Sequence, residues 1–143
     1  MKQYYMLLFI AGCLMASCGP SAVERTKNVV IVQIETQDPT QARQVALEVL
    51  GERLIHVSAT PERKFSKKES LVVLPQQTKT DFNVEESADS VFVRTSKLTA
   101  AVSRKTGVVH FSDANGRLLL AEDEQGRSFQ PIEEEGTHGY TVQ

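Results

Sequence analysis

The chain has 143 residues, about one domain's worth, with 41% hydrophobic residues and a formal net charge of −2. A slightly acidic pI near 5.9 excludes the basic footprint that nucleic-acid binding needs. There is no Trp, and both cysteines, Cys13 and Cys18, fall in the first eighteen residues, so the remainder has no disulfide framework, cysteine metal site or cysteine nucleophile.

The chain opens with a short basic start at Lys2, followed by thirteen apolar residues at 4–16. That run is shorter than the ~20 residues needed to cross a bilayer core, so it reads as an export signal and not as a membrane span. It closes on Leu14-Met15-Ala16-Ser17-Cys18, which resembles a bacterial lipobox, with small residues ahead of a cysteine that is acylated and becomes the new N-terminus. Ile10-Ala11-Gly12-Cys13 carries more typical lipobox letters, but cleavage there would leave too short an apolar run, so Cys18 is the expected lipidation site. An ordinary secretory signal with an incidental cysteine is the alternative. Residues 1–17 are thus expected to be a signal peptide and 18–27 a polar tether, with a β-sandwich domain over 28–143. Acyl chains on Cys18 would hold the protein at a membrane surface without threading it through.

Beyond the tether the chain reads as strands. Residues 28–35 (NVVIVQIE) form an apolar strand, ended by Thr36-Gln37-Asp38-Pro39. Residues 41–50 are ambiguous. Ala42, Val45, Ala46 and Val49 would make a helical stripe, whereas Val45, Leu47 and Val49 would line one strand face. The strand is preferred because Gly51-Glu52 follows as a hairpin turn and residues 53–59 (RLIHVSA) are again strand-like, ending at Pro61. Arg63, Lys64, Lys67 and Lys68 make the most charged stretch, a solvated loop or, less simply, a patch for an acidic partner. Leu71-Val72-Val73-Leu74 reads as a short buried strand, and in residues 81–84 Phe82 and Val84 would share a face.

The clearest pattern lies between Asp81 and Glu122. Residues 91–95, 98–103, 108–111 and 118–120 are apolar or β-branched runs, separated by Lys105-Thr106-Gly107 and by Asp113-Ala114-Asn115-Gly116. Such runs fit a pleated, half-buried surface, and Asn-Gly between two of them is a strong hairpin signal. The predicted class is all-β, an antiparallel β-sandwich built from meanders. After Asp123-Glu124-Gln125-Gly126 comes a candidate edge strand at 128–132, limited by Pro131. A charged loop follows at Glu133-Glu134-Glu135, and then a strand that begins at Tyr140 just before the sequence stops. On this reading the sandwich is expected to be incomplete.

Candidate chemistry is sparse. His56, His110 and His138 have no partner at metal-ligand spacing, and the acidic groups Glu85/Glu86/Asp89, Glu122/Asp123/Glu124 and Glu133-Glu134-Glu135 lie in turns where solvation explains them. No catalytic, cofactor-binding or metal-binding residue is assigned, and no cofactor is expected.

The order of short motifs carries a resemblance. Arg53-Leu54-Ile55-His56-Val57-Ser58-Ala59-Thr60-Pro61, Ser70-Leu71-Val72-Val73 and Asp81-Phe82-Asn83-Val84-Glu85-Glu86 are followed by Lys105-Thr106-Gly107, Asn115-Gly116-Arg117-Leu118-Leu119 and Gly126-Arg127-Ser128-Phe129. Together they resemble the N-terminal domain of glycoside hydrolase family 31, the family of α-glucosidases and α-xylosidases. His56 departs from the family pattern, which usually has Arg there. The resemblance implies a sandwich similar to the galactose mutarotase fold, set before a (β/α)8 catalytic barrel. It also implies that the two catalytic aspartates lie on that barrel, so neither carries over to any position here. The expected role is a non-catalytic portion of a lipid-anchored α-glycosidase, inactive alone, with the barrel as partner. The alternatives are a carbohydrate-binding lipoprotein and a structural or interaction lipoprotein unrelated to sugars. Against sugar binding, the aromatics beyond the signal are only Phe65, Phe82, Phe92, Phe111, Phe129 and Tyr140, most at inward-looking positions.

Overall fold

In the computed structural model, residues 23–66, 79–134 and 136–143 are described. They form eleven strands and no helix: β1 (Val23–Arg25), β2 (Val29–Gln33), β3 (Gln44–Gly51), β4 (Leu54–Thr60), β5 (Asn83–Glu86), β6 (Ser90–Arg94), β7 (Leu98–Ser103), β8 (Val109–Asp113), β9 (Leu118–Ala121), β10 (Phe129–Glu134) and β11 (Thr137–Val142). β1-β2-β3-β4 and β5-β6-β7-β8-β9 are two antiparallel meanders, and β10-β11 is a separate hairpin. The all-β antiparallel class stands.

Alternation produces the sandwich. In β2, Val30 and Val32 point inward, and their ladder partners Leu47 and Val45 do the same in β3. The strand reading of residues 41–50 therefore holds, with Val45, Leu47 and Val49 all buried and Ala46 on the opposite face. The facing meander contributes Val91, Val93, Ala100, Val102 and Val109, and both sets belong to one apolar cluster. A period-2 pattern on two sheets meeting face to face is the packing expected of a β-sandwich.

Turn chemistry fixes the register. Gly107 takes φ +72°, and a Cβ there would lie 3.3 Å from Val45 Cγ2, so both backbone and space favour glycine. Gly116 has φ +81° at the end of the β8–β9 turn. Asp113 organises that turn, its Oδ1 accepting from the N–H of Asn115 (2.9 Å) and of Arg117 (3.0 Å). The Arg117 N–H holds the Asp113 carboxyl below its ordinary 3.8, helped by the Arg117 charge and opposed by desolvation. A depressed folded-state pKa gives a contribution that is complete above pH 3.8 and is lost as pH falls through the lower folded value. We expect the melting-temperature gap between wild type and Asp113→Asn to be constant near neutrality and to shrink as pH falls below 3.8. A gap of unchanged size in acid would show that the carboxylate charge plays no part in the turn.

Four readings of the sequence are corrected. The stretch taken as a tether carries β1, paired Val23↔Val32, Glu24↔Ile31 and Arg25↔Val30. An edge strand needs a neighbour on one side only, so it tolerates the polar composition that hid it. Glu85 and Glu86 belong to strand β5 and not to a turn, because Arg94 and Arg104 answer their charge. The last strand does not begin at Tyr140. It starts at Thr137 and pairs with β10 along its length, from Glu134↔Thr137 to Phe129↔Val142, so Glu133 and Glu134 are strand residues too. Finally, Tyr140 is 39% exposed, so the inward placement expected of the aromatics fails there. The run Leu71-Val72-Val73-Leu74 lies outside the described residues, as do Cys13 and Cys18.

Candidate functional site: an uncovered sheet edge and a polar groove

The three histidines are not brought together. His56 on β4 faces Glu48 of β3, Nδ1 to Oε2 at 3.5 Å, and His138 on β11 faces Glu133 of β10, also at 3.5 Å. His110 is exposed on β8, between Ala101 and Ala121. Among the described residues, no group of three or more His, Cys, Asp or Glu is placed to hold a metal ion.

The acidic groups act as structural clamps. Glu85 meets Arg94 Nε at 3.1 Å, and Asp89 meets Lys105 Nζ at 3.1 Å. Glu122 accepts from the N–H of Val109 (2.9 Å) and pairs with Arg127, tying the β9–β10 turn to β8. Asp123 Oδ1 accepts from the N–H of Gln125 (2.9 Å). Glu86 pairs with Arg104, a buried guanidinium whose Nε also donates to Ser87 O (3.1 Å). Arg104 further accepts at its carbonyl from the Glu35 N–H (2.7 Å), so one residue joins the two sheets at this end. Two carboxylates poised for acid–base chemistry would need a shared cleft, and these carboxylates are each tied into structural pairs or turns.

The aromatic residues form no exposed platform among the described residues. Phe82 and Phe129 are buried, and Phe111 packs against the core. Tyr140 makes an edge contact with Phe129, ring centroids 6.2 Å apart, and its hydroxyl donates to Glu62. That bond holds the phenol proton, so the Tyr140 pKa lies above 10.0.

Two surface features stand out from this scaffold. The first is β9. Leu118, Leu119 and Leu120 are 60%, 51% and 59% exposed, although they form an unbroken apolar run. Leu120 lies opposite Phe111 on the inner side of its sheet, and a register irregularity sits between Phe111 and Ser112. The core cluster extends to Val109 and Phe111 of β8 and includes no residue of β9. β9 pairs with β8 alone among the described residues, so its other edge presents unpaired N–H and C=O groups. Ile132 and Val142 add exposed apolar surface on the β10–β11 hairpin. Sequence patterning finds this strand but not its exposure, because an apolar run reads the same under a cover or without one.

The second is an open groove of about 700 Å³ at the end of the sandwich carrying the β1–β2 and β6–β7 turns. Arg25, Lys27, Asp81 and Arg94 line it with Phe82 and Asn83. The Arg25 guanidinium lies 4.5 Å over the Phe82 ring, and its Nη2 donates to Phe82 O (3.2 Å). Sequence reading missed this site because its cations come from two sheets.

No family model matches the chain. It is 27% identical, over 85 residues, to alpha-glucosidase 2 of Bacillus thermoamyloliquefaciens, a match covering 59% of this chain and 11% of that enzyme. Its fold is similar to that of the GH31 alpha-xylosidase of Xanthomonas citri, with TM-score 0.75 and 38% identity over 84% of this chain and 13% of the other. A GH31 alpha-xylosidase from a soil metagenome, solved with xylose, shares the fold at TM-score 0.58 and 22% identity, over 78% of this chain and 19% of the other. The chain thus spans between 11% and 19% of the length of these relatives. Two meanders stacked as a sandwich and a sequence likeness running through them match this chain to the N-terminal β-domain of glycoside hydrolase family 31.

Proposed function

We propose that this chain serves as the non-catalytic N-terminal β-sandwich of an α-glycosidase held to the membrane through Cys18, packing on a (β/α)8 barrel and shaping one wall of its sugar site. The observation that carries the reading is β9, whose three exposed leucines lie on an open sheet edge. Exposed apolar surface at an unpaired edge marks an interaction surface. The relatives are enzymes several times longer than this chain, which supports the remainder of such an enzyme as the cover.

Sugar chemistry then belongs to the barrel, and this domain contributes packing and shape. The purified chain should release no sugar from α-glucosides or α-xylosides. Turnover by the chain alone would overturn the non-catalytic role. Reading the transcript beyond codon 143 tests the partner: a frame encoding a barrel supports the proposal, and unrelated sequence counts against it.

A further inference from the structure

The end with the turns at 87–89, 104–108 and 122–128 and the β2–β3 connection carries Asp38, Asp89, Asp123 and Glu124, with Lys105 paired to Asp89 and Arg127 to Glu122. The opposite pole holds the groove, where three cations face Asp81 as the lone lining carboxylate. Arg94 is partly answered by Glu85, its Nη1 donating to Thr99 Oγ1 (3.3 Å). Among the described residues, neither Arg25 nor Lys27 takes part in an ion pair. Phe82 beneath Arg25 holds the guanidinium plane in place, and Thr95 Oγ1 donates to Glu52 O (2.6 Å), fixing the groove's far wall to the β3–β4 turn.

We infer that this groove binds the phosphate of anionic lipid headgroups and turns the basic pole of the domain toward the membrane. The inference rests on the reading of Cys18 as acylated. Arg25 lies seven residues after Cys18 in the sequence. Extended chain covers at most ~3.6 Å per residue, so the groove lies within about 25 Å of the anchor and can reach the headgroup layer. A planar guanidinium and a mobile ammonium are the two side chains suited to phosphate oxygens, and an anionic leaflet attracts such groups. Orientation, and not anchoring, is the function assigned to the groove.

The test uses the expected mature chain, residues 18–143, as Cys18→Ser, so that neither the apolar signal nor an acyl group contributes. Its partition is measured onto phosphatidylcholine vesicles with and without phosphatidylglycerol. The expected result is a preference for the anionic vesicles that weakens as salt rises from about 0.05 to 0.2 M. Lys27→Gln should lower that partition about fivefold. Lys105→Gln, which removes the same charge at the opposite end, should leave it unchanged. Arg25→Gln, checked by its melting curve, provides a second variant. Equal losses in Lys27→Gln and Lys105→Gln, or no preference for phosphatidylglycerol, overturn the inference. Inorganic phosphate supplies the other arm. If it shifts the NMR signals of Arg25 and Lys27 while vesicle binding ignores Lys27→Gln, the headgroup assignment is overturned in favour of a soluble phosphate. A Cys18 peptide found unacylated by mass spectrometry of the membrane fraction would remove the anchor but leave the vesicle result standing, so the two failures are distinguishable.

Discussion

Leu47→Ala should destabilise the domain by about 3–5 kcal/mol, a large share of the ~5–15 kcal/mol that keeps an ordinary domain folded. Leu47 has no exposed surface and is the largest of the fully buried side chains. It sits on β3, which is hydrogen-bonded on both sides, opposite Val30 of β2 and Val57 of β4. Truncation removes its transfer free energy and also leaves a cavity that two ladder-bound neighbours are poorly placed to fill. Thermal and urea unfolding would measure the loss, with a melting point lower by more than about 10 °C. Leu54→Ala gives the internal comparison. That leucine is 53% exposed beside the β3–β4 turn, and its removal should change stability by no more than about 0.5 kcal/mol. Similar losses at the two sites would mean that the inner face of β3 is not the centre of the core.

The second large effect concerns association. Replacing Leu118 and Leu120 together by Ser should leave the melting point of the isolated chain nearly unchanged, because both side chains are already mostly in water. The same pair should weaken binding to a separately produced barrel polypeptide by about a hundredfold, since burying each leucine is worth at least ~1.5 kcal/mol. Sedimentation of the chain alone provides a further reading. An open edge with apolar residues favours self-association, which the double variant should reduce. A double variant that binds the barrel polypeptide as well as wild type would show that β9 is not the docking strand. One that melts early would show that these leucines are structural in the domain itself.

The clamp at Arg104 shows why neither effect is visible in composition. Glu86 and Asp89 read in sequence as turn charges. In the fold, the carbonyl of Asp89 accepts from the N–H of Arg104 (2.9 Å), and that residue's guanidinium is buried against Ser87 and Glu86. Pairing across eighteen residues turns a solvated acidic cluster into a support for the sheet junction.

What the amino-acid sequence determined by itself was local and periodic. The β-branched and aromatic run at 91–95, the glycine needed at 107, and Asn115-Gly116 between two apolar runs dictate strands and turns through backbone sterics and burial. The sequence also carried the likeness to family 31, because that rests on ordered short motifs. Only the tertiary structure decided which features lie uncovered and which come together. β1 becomes a strand through hydrogen bonds to β2, and no property of Val23-Glu24-Arg25 alone requires it. The leucines of β9 stay in water because the core cluster takes no residue from β9. Arg25 and Arg94 share a groove because turns from two different sheets meet at one end of the sandwich. Periodicity encodes the direction of a side chain within its strand, whereas exposure and neighbourhood depend on what packs above it, and that is a property of the whole fold.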